Sequence, residues 1–110
     1  MSKSGSWSLL CGQASSSGDN TLVAAPGSGK RIRVGFAMLQ NASSVLTTAI
    51  LRSGTGTNGL RYLGANQGDG IQTTFQQAGE WTLDTNEALI LNLSGANAWN
   101  YTIAYSVEDV

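Results

Sequence analysis

Residues Ala25 to Val34 read APGSGKRIRV and place Gly-Ser-Gly-Lys ahead of two arginines, residue types with which a glycine-rich loop can wrap a phosphate. That chemistry needs G-x-x-x-x-G-K-[ST], because backbone N–H groups cradle the anion and the hydroxyl holds magnesium. Here Ala24 stands at the first glycine position and Arg31 at the hydroxyl position. Such a loop also opens a helix whose N-terminus completes the anion site, whereas Arg31 begins an alternating, strand-like run. The stretch reads as a turn. Pro26 presets one dihedral, and Gly27 and Gly29 can supply positive φ. Lys30, Arg31 and Arg33 remain as a basic trio. Arg31 and Arg33 share a strand face, which suits either a carboxylate on a neighbouring subunit or a solvated edge whose charges discourage wrong pairing.

The acidic residues are the next candidates. EWTLDTNE brings Glu80, Asp84 and Glu87 close in sequence, as a hydrolytic carboxylate pair or a calcium loop would. Paired glycosidase carboxylates must flank a substrate groove, and the calcium-loop pattern is absent; the spacing is that of a loop between strands. Asp19 and Asp69 sit beside glycines as turn residues. The chain has no histidine, so a Ser-His-Asp triad cannot be assembled and the commonest metal ligand is missing. Cys11 is alone, which rules out an intrachain disulfide and a cysteine metal cluster. It lies among apolar residues that would stabilise a thiolate poorly. The expectation is a non-enzyme with no cofactor, metal or small-molecule substrate.

The elements that would position any site are strands. The chain has 110 residues, 41% of them hydrophobic, enough for one domain with one modest core. Only 12% are charged, about half the usual share, so the polar surface must come from Ser, Thr, Asn, Gln and Gly. A net charge of −1 gives no pull toward nucleic acid or an anionic membrane, and no window approaches the roughly 18 apolar residues of a membrane span. WSLLC, Trp7 to Cys11, is too short for a secretory core, so secretion is not expected.

Period-two alternation governs the chain from Thr21 onward. In RIRVGFAM, Ile32, Val34, Phe36 and Met38 fall on one face, with Arg31, Arg33, Gly35 and Ala37 on the other. SVLTTAILR, LRYL and IQTTF read as further strands. ALILNL aligns Leu89, Leu91 and Leu93. WNYTIAYSV aligns Trp99, Tyr101, Ile103, Tyr105 and Val107 as a core stripe, leaving Asn100, Thr102, Ala104 and Ser106 as a small, polar outer face suited to close packing against another subunit. SGAN between them reads as a hairpin turn. No apolar spacing of three and four is sustained. About eight short strands with turns every eight to twelve residues describe an all-β, single-domain antiparallel β-sandwich or jelly roll. Residues 1–20 are Ser/Gly-rich around the apolar patch and read either as a flexible N-terminal arm ahead of a sandwich at 21–110, or as a first strand of that sandwich.

The order LVAAPGSGKRIRV, ILRSGTG, GEWTLDTNEALILNLSGANAWNYTIAYSVE resembles a family of small β-sandwich structural proteins of tailed bacteriophages, most of all capsid decoration (cement) proteins. The match spans roughly Asn20 to Glu108, and its motifs are specific as a set and weak singly. The resemblance implies a virion protein on the capsid exterior, assembled in the host cytoplasm, with the major capsid protein as partner and a homotrimeric state. It implies no nucleic acid and no membrane. Trp7, Leu9 and Leu10 would be apolar anchors on the shell, and Lys30, Arg31 and Arg33 rim contacts. A receptor- or glycan-binding module of a tail fibre or baseplate is the alternative, with loops Ser53 to Gly59 and Gly64 to Gly70 as its surface.

Overall fold

A computed structural model describes residues 7–54, 56, 58–75 and 81–110. Among them are nine strands: β1 (Ser8–Ala14), β2 (Gly18–Val23), β3 (Lys30–Asn41), β4 (Thr47–Ser53), β5 (Asn58–Gly64), β6 (Gly70–Thr74), β7 (Trp81–Thr82), β8 (Leu89–Leu93) and β9 (Trp99–Asp109). They form two antiparallel sheets. One runs β1-β9-β3-β6, with β7 also paired to β3; the other runs β2-β8-β4-β5. The chain changes sheet at every connection except β4–β5 and β6–β7, the winding of a jelly roll. We call these the β9 sheet and the β8 sheet.

The core lies between them, as the alternation requires. Leu89, Leu91 and Leu93 of β8 face Trp99 and Ile103 of β9, all at 0–1% exposure, and Tyr101, Tyr105 and Val107 pack against the same cluster. Both aligned stripes of the C-terminal third are therefore core. The SGAN stretch, Ser94 to Asn97, is not a hairpin, because β8 and β9 belong to different sheets. Ser94 instead ties the crossing to β4: its N–H donates to the Thr48 carbonyl at 3.0 Å, and its hydroxyl accepts from the Thr48 N–H at 2.9 Å.

The alternation read in β3 holds only as far as Val34. Its register against β9 shifts between Val34 and Phe36, a β-bulge with Gly35 as the extra residue. Because side chains alternate with period two, one inserted residue moves everything beyond it to the opposite face. Ile32 and Val34 point inward, followed by Ala37, Leu39 and Asn41, all at 0% exposure. Phe36 and Met38, expected in the core, stand half-exposed on the exterior.

The first residues also need correcting. Ser8–Ala14 is strand β1, paired with β9 from Ser8↔Tyr105 to Ala14↔Trp99, and the boundary expected at residue 20 falls inside β2. An extended apolar segment with no proline and no charge can complete a sheet edge, and the first-strand reading describes it. Residues 1–6 of the expected arm lie outside the described residues.

Two tryptophans are seated on glycines of β5. A Cβ on Gly64 would come within 2.8 Å of the Trp99 ring, and one on Gly59 within 2.5 Å of Trp81. Beside Trp99, Asn41 is fully buried with its amide satisfied. Its Nδ2 donates to the carbonyls of Val45 at 2.9 Å and Gly64 at 3.2 Å, and its Oδ1 accepts from the Ser43 N–H at 2.9 Å and hydroxyl at 2.8 Å. This one side chain therefore fixes the β3–β4 loop to the end of β5.

Across the exterior of the β8 sheet, Asp19 accepts from Asn92 Nδ2 at 2.7 Å and Arg52 Nη2 at 2.6 Å. The Asn92 hydrogen bond, with a smaller part from Arg52, holds the Asp19 carboxyl below its ordinary value near 3.8, against a desolvation penalty of opposite sign. A carboxyl depressed in the folded state contributes stability above its unfolded pKa and loses it as pH falls through the folded value. Between about pH 5 and about pH 2.5, the wild-type chain should lose more stability than Asp19→Asn, measured by urea unfolding at each pH. Gly64→Ala should cost about 1–3 kcal/mol by overpacking. Part of that loss should be recovered in the double variant with Trp99→Phe, whose smaller ring vacates the contact. A loss in the double variant equal to the sum of the two single-variant losses would rule out the seating.

Candidate assembly interface

The exterior of the β9 sheet is assembled from four strands in fixed register. Leu9, Ala104, Phe36 and Thr74 form one row across β1, β9, β3 and β6, and Cys11, Thr102, Met38 and Gln72 form the next. Leu9 is 70% exposed, Cys11 is exposed, and Ala104, Phe36 and Met38 are half-exposed. The centre of this face is therefore apolar, with small residues on β9 between larger ones on β1 and β3.

Its two ends are polar. At one end, Gln13 Nε2 donates to Asn100 Oδ1 at 3.0 Å, Asn100 Nδ2 to Gln40 Oε1 at 3.2 Å, and Gln40 Nε2 reaches the Gly68 carbonyl at 3.5 Å. The three amides make a directional chain across β1, β9 and β3. At the other end, Lys30 pairs with Asp109 at 2.8 Å, and Glu108 receives Arg31 on one oxygen and Arg33, at 3.5 Å, on the other. Trp7 lies over Arg33, with the guanidinium carbon 4.8 Å from the ring centroid, a cation–π contact of about 0.5–1 kcal/mol at an exposed site. The same ring passes Gly35, where a Cβ would stand 3.1 Å from it. The bulge glycine thus turns Phe36 outward and leaves room for Trp7 as well.

An apolar centre inside a polar rim is the anatomy of a protein–protein contact. At the middle of the β8 sheet's exterior, Asp19, Asn92 and Arg52 are joined to one another, Arg52 Nε donates to the Gly54 carbonyl at 2.9 Å, and Ile50, Ile90 and Arg61 stand on the same face. Exposed apolar side chains there stay near one end, at Val45, Leu46 and Leu63.

Of the residues expected from the sequence to touch a partner, Trp7 and Leu9 are on the β9-sheet exterior. Leu10 is not. Alternation turns it inward opposite Ile103, where it packs against the core, so it anchors β1 to its own domain. Lys30, Arg31 and Arg33 gather at one end of the face, and the carboxylates they meet are the chain's own. Ala104 and Thr102 belong to the small outer face of β9 expected to pack against another subunit, whereas Phe36 and Met38 were not singled out for it; Gly35, an isolated glycine inside a strand pattern, was the available signal of a bulge.

Two of the acidic candidates, Asp84 and Glu87, lie against the same 53–56 segment. Glu80 lies outside the described residues. Asp84 caps a turn against Ser53, its N–H donating to Ser53 Oγ at 2.9 Å, and the Glu87 side chain lies over Gly54. Among the described residues, no three His, Cys, Asp or Glu side chains are grouped so as to hold a metal. Of the expected glycan loops, Thr55 and Thr57 lie outside the described residues. The 64–70 loop is a turn closed by Asp69 Oδ2, which accepts from the N–H groups of Ala65 at 3.1 Å and Asn66 at 2.9 Å. Beside it a cavity of about 420 Å³ opens between Met38, Gln40, Gly68, Gly70, Ile71 and Gln72. The PGSG stretch is a turn, with the Lys30 N–H donating to the Gly27 carbonyl at 3.1 Å and strand β3 following directly.

No protein-family model matches the chain, and no curated protein sequence does. Solved structures share its fold. One is a subunit of Bacillus endospore appendages, described as disulfide-linked pili, at 14% identity and a TM-score of 0.53 over all of this chain and 90% of the other. Another is the virus-like particle of the extra small virus of the giant freshwater prawn Macrobrachium rosenbergii, at 11% identity and a TM-score of 0.52 over all of this chain and 79% of the other.

Proposed function

We propose that this chain is a virion structural protein, a bacteriophage capsid decoration protein that sets the exterior of its β9 sheet against the shell. The observation that carries the reading is the exterior of the β9 sheet, where Leu9, Phe36, Met38 and Ala104 form an apolar centre between polar ends. A subunit that repeats over a symmetric particle needs only a modest contact per copy, because symmetry multiplies it. The sequence resemblance to tailed-phage decoration proteins supports the same reading. So does the fold, which is shared with a pilus subunit and a virus-like particle. In this proposal the major capsid protein is the partner, Trp7, Leu9, Phe36 and Met38 make the apolar contact, and Lys30, Arg31 and Arg33 lie at its rim. The homotrimeric state and the position outside the capsid belong to the same proposal.

The cavity beside the 64–70 loop favours one second reading, a glycan- or receptor-binding module of a tail fibre, with Gln40 and Gln72 supplying amide contacts. Counting copies separates the two. Quantitative mass spectrometry of purified virions should give this chain at about one copy per capsid subunit or a simple fraction of that; a few copies per particle would select the fibre. On shells, Trp7→Ala and Phe36→Ser should each weaken binding about tenfold or more, as loss of an apolar contact residue does. Their unfolding midpoints should stay close to wild type, since both side chains lie outside the core. Collapse of the fold in Trp7→Ala would place Trp7 in the structural framework and remove it from the contact.

A further inference from the structure

Strand β1 is an edge strand of the β9 sheet. It pairs with β9 alone, and four of its seven residues are exposed. It carries no charge and no proline, the devices by which sheet edges normally exclude foreign strands. Its connection to the next strand is three serines, Ser15 to Ser17, ending at Gly18 with φ of 86°. That connection is held by one side chain: Asn20 Nδ2 donates to the Ser16 carbonyl at 2.9 Å and also reaches the Leu91 carbonyl at 3.2 Å.

The seat that β1 occupies is selective. The Tyr101 hydroxyl lies over Gly12, where a Cβ would come within 2.6 Å of it. A strand laid along β9 in this register therefore needs glycine at that point. Five residues earlier it needs an aromatic ring to reach Arg33 and Gly35, as Trp7 does. It needs an amide one residue past the glycine to begin the chain to Asn100 and Gln40. The segment of this chain that meets all three requirements is β1 with Trp7 ahead of it.

We propose that β1 is an exchangeable strand whose second seat is the β9 edge of another copy of this chain. Exchange of an identical element makes in trans the contacts already made in cis, so its balance depends on the connection and on concentration more than on new interactions. Each exchanged strand adds a seven-pair ladder between copies, opened at the serine connection when Asn20 lets go of Ser16. The proposal stands on the β1–β9 geometry and does not depend on which particle the protein serves.

The native Cys11 supplies the test, because it lies directly opposite Thr102, with Thr102 Oγ1 3.6 Å from its sulfur. Wild-type chain, whose only cysteine is Cys11, is unfolded and refolded together with a Cys11→Ser/Thr102→Cys chain, then mildly oxidised. Each chain then holds one thiol, so a disulfide between residue 11 and position 102 forms only when β1 of one copy lies on β9 of another. The expected product is a covalent heterodimer with that linkage by peptide mass spectrometry. It should exceed a control mixture using Cys11→Ser/Thr21→Cys by about a hundredfold, the ratio of a millimolar effective concentration to a ten-micromolar solution. Yields equal to the control, or covalent dimers lacking the 11-to-102 linkage, would overturn the proposal. Should Thr102→Cys fail to refold, the adjacent pair repeats the measurement: a Cys11→Ser/Leu9→Cys chain with a Cys11→Ser/Ala104→Cys chain.

Discussion

The eleven-pair ladder between β3 and β9 is the constraint on which the rest of this structure depends, and its single irregularity decides what faces outward. Up to Val34 the strand obeys simple alternation. At Gly35 one residue is added, and Ala37, Leu39 and Asn41 take the inner positions. They stand opposite Ile103, Tyr101 and Trp99, so the smaller side chains of β3 meet two of the largest on β9. A continued alternation would bring Phe36 and Met38 against those aromatic rings. Close-packed interiors resist that excess volume as strongly as they resist voids.

The same inserted residue creates the exterior on which the functional reading rests. It sends Phe36 and Met38 outward beside Leu9 and Ala104, and its missing side chain gives Trp7 a place to lie over Arg33. The polar ends then set the limits of the apolar centre, with an amide chain on one side and the Glu108 ion pairs on the other. On the opposite sheet, Asp19, Asn92 and Arg52 answer one another. Polar groups already joined within the chain have less to gain from a partner than exposed apolar area does.

Strand β1 links these levels. Inward, Leu10 and Ala14 extend the core; outward, Trp7, Leu9 and Cys11 extend the apolar face; along its length it covers the β9 edge. It is still an edge strand, held by one ladder and a short serine connection. An element that completes both the core and the contact surface couples folding to assembly. Moving it between copies changes which molecules are joined without changing which residues touch.

The all-β class, the core stripes of β8 and β9 and the turn before β3 were legible in the sequence, because period-two burial and turn chemistry are local properties. Leu89, Leu91, Leu93, Trp99 and Ile103 stand where their alternation put them, and Lys30, Arg31 and Arg33 follow the turn as read. Three features were not legible, each for a nonlocal reason. The crossing at Ser94–Asn97 resembles a hairpin until the strands on either side are assigned to different sheets. The first twenty residues suit an arm or a strand equally until β9 is found to offer an edge with room beneath Tyr101 for Gly12. The exterior of the β9 sheet could not be drawn by extending a pattern through Gly35, because a bulge is set by the register between two strands and the volumes packed behind them. The sequence by itself determined the strand class, the buried stripes of β8 and β9 and the turn before β3. Only the tertiary structure decided which strands share a sheet and where the alternation reverses, because pairing partners and packed volume come from residues far apart in the chain.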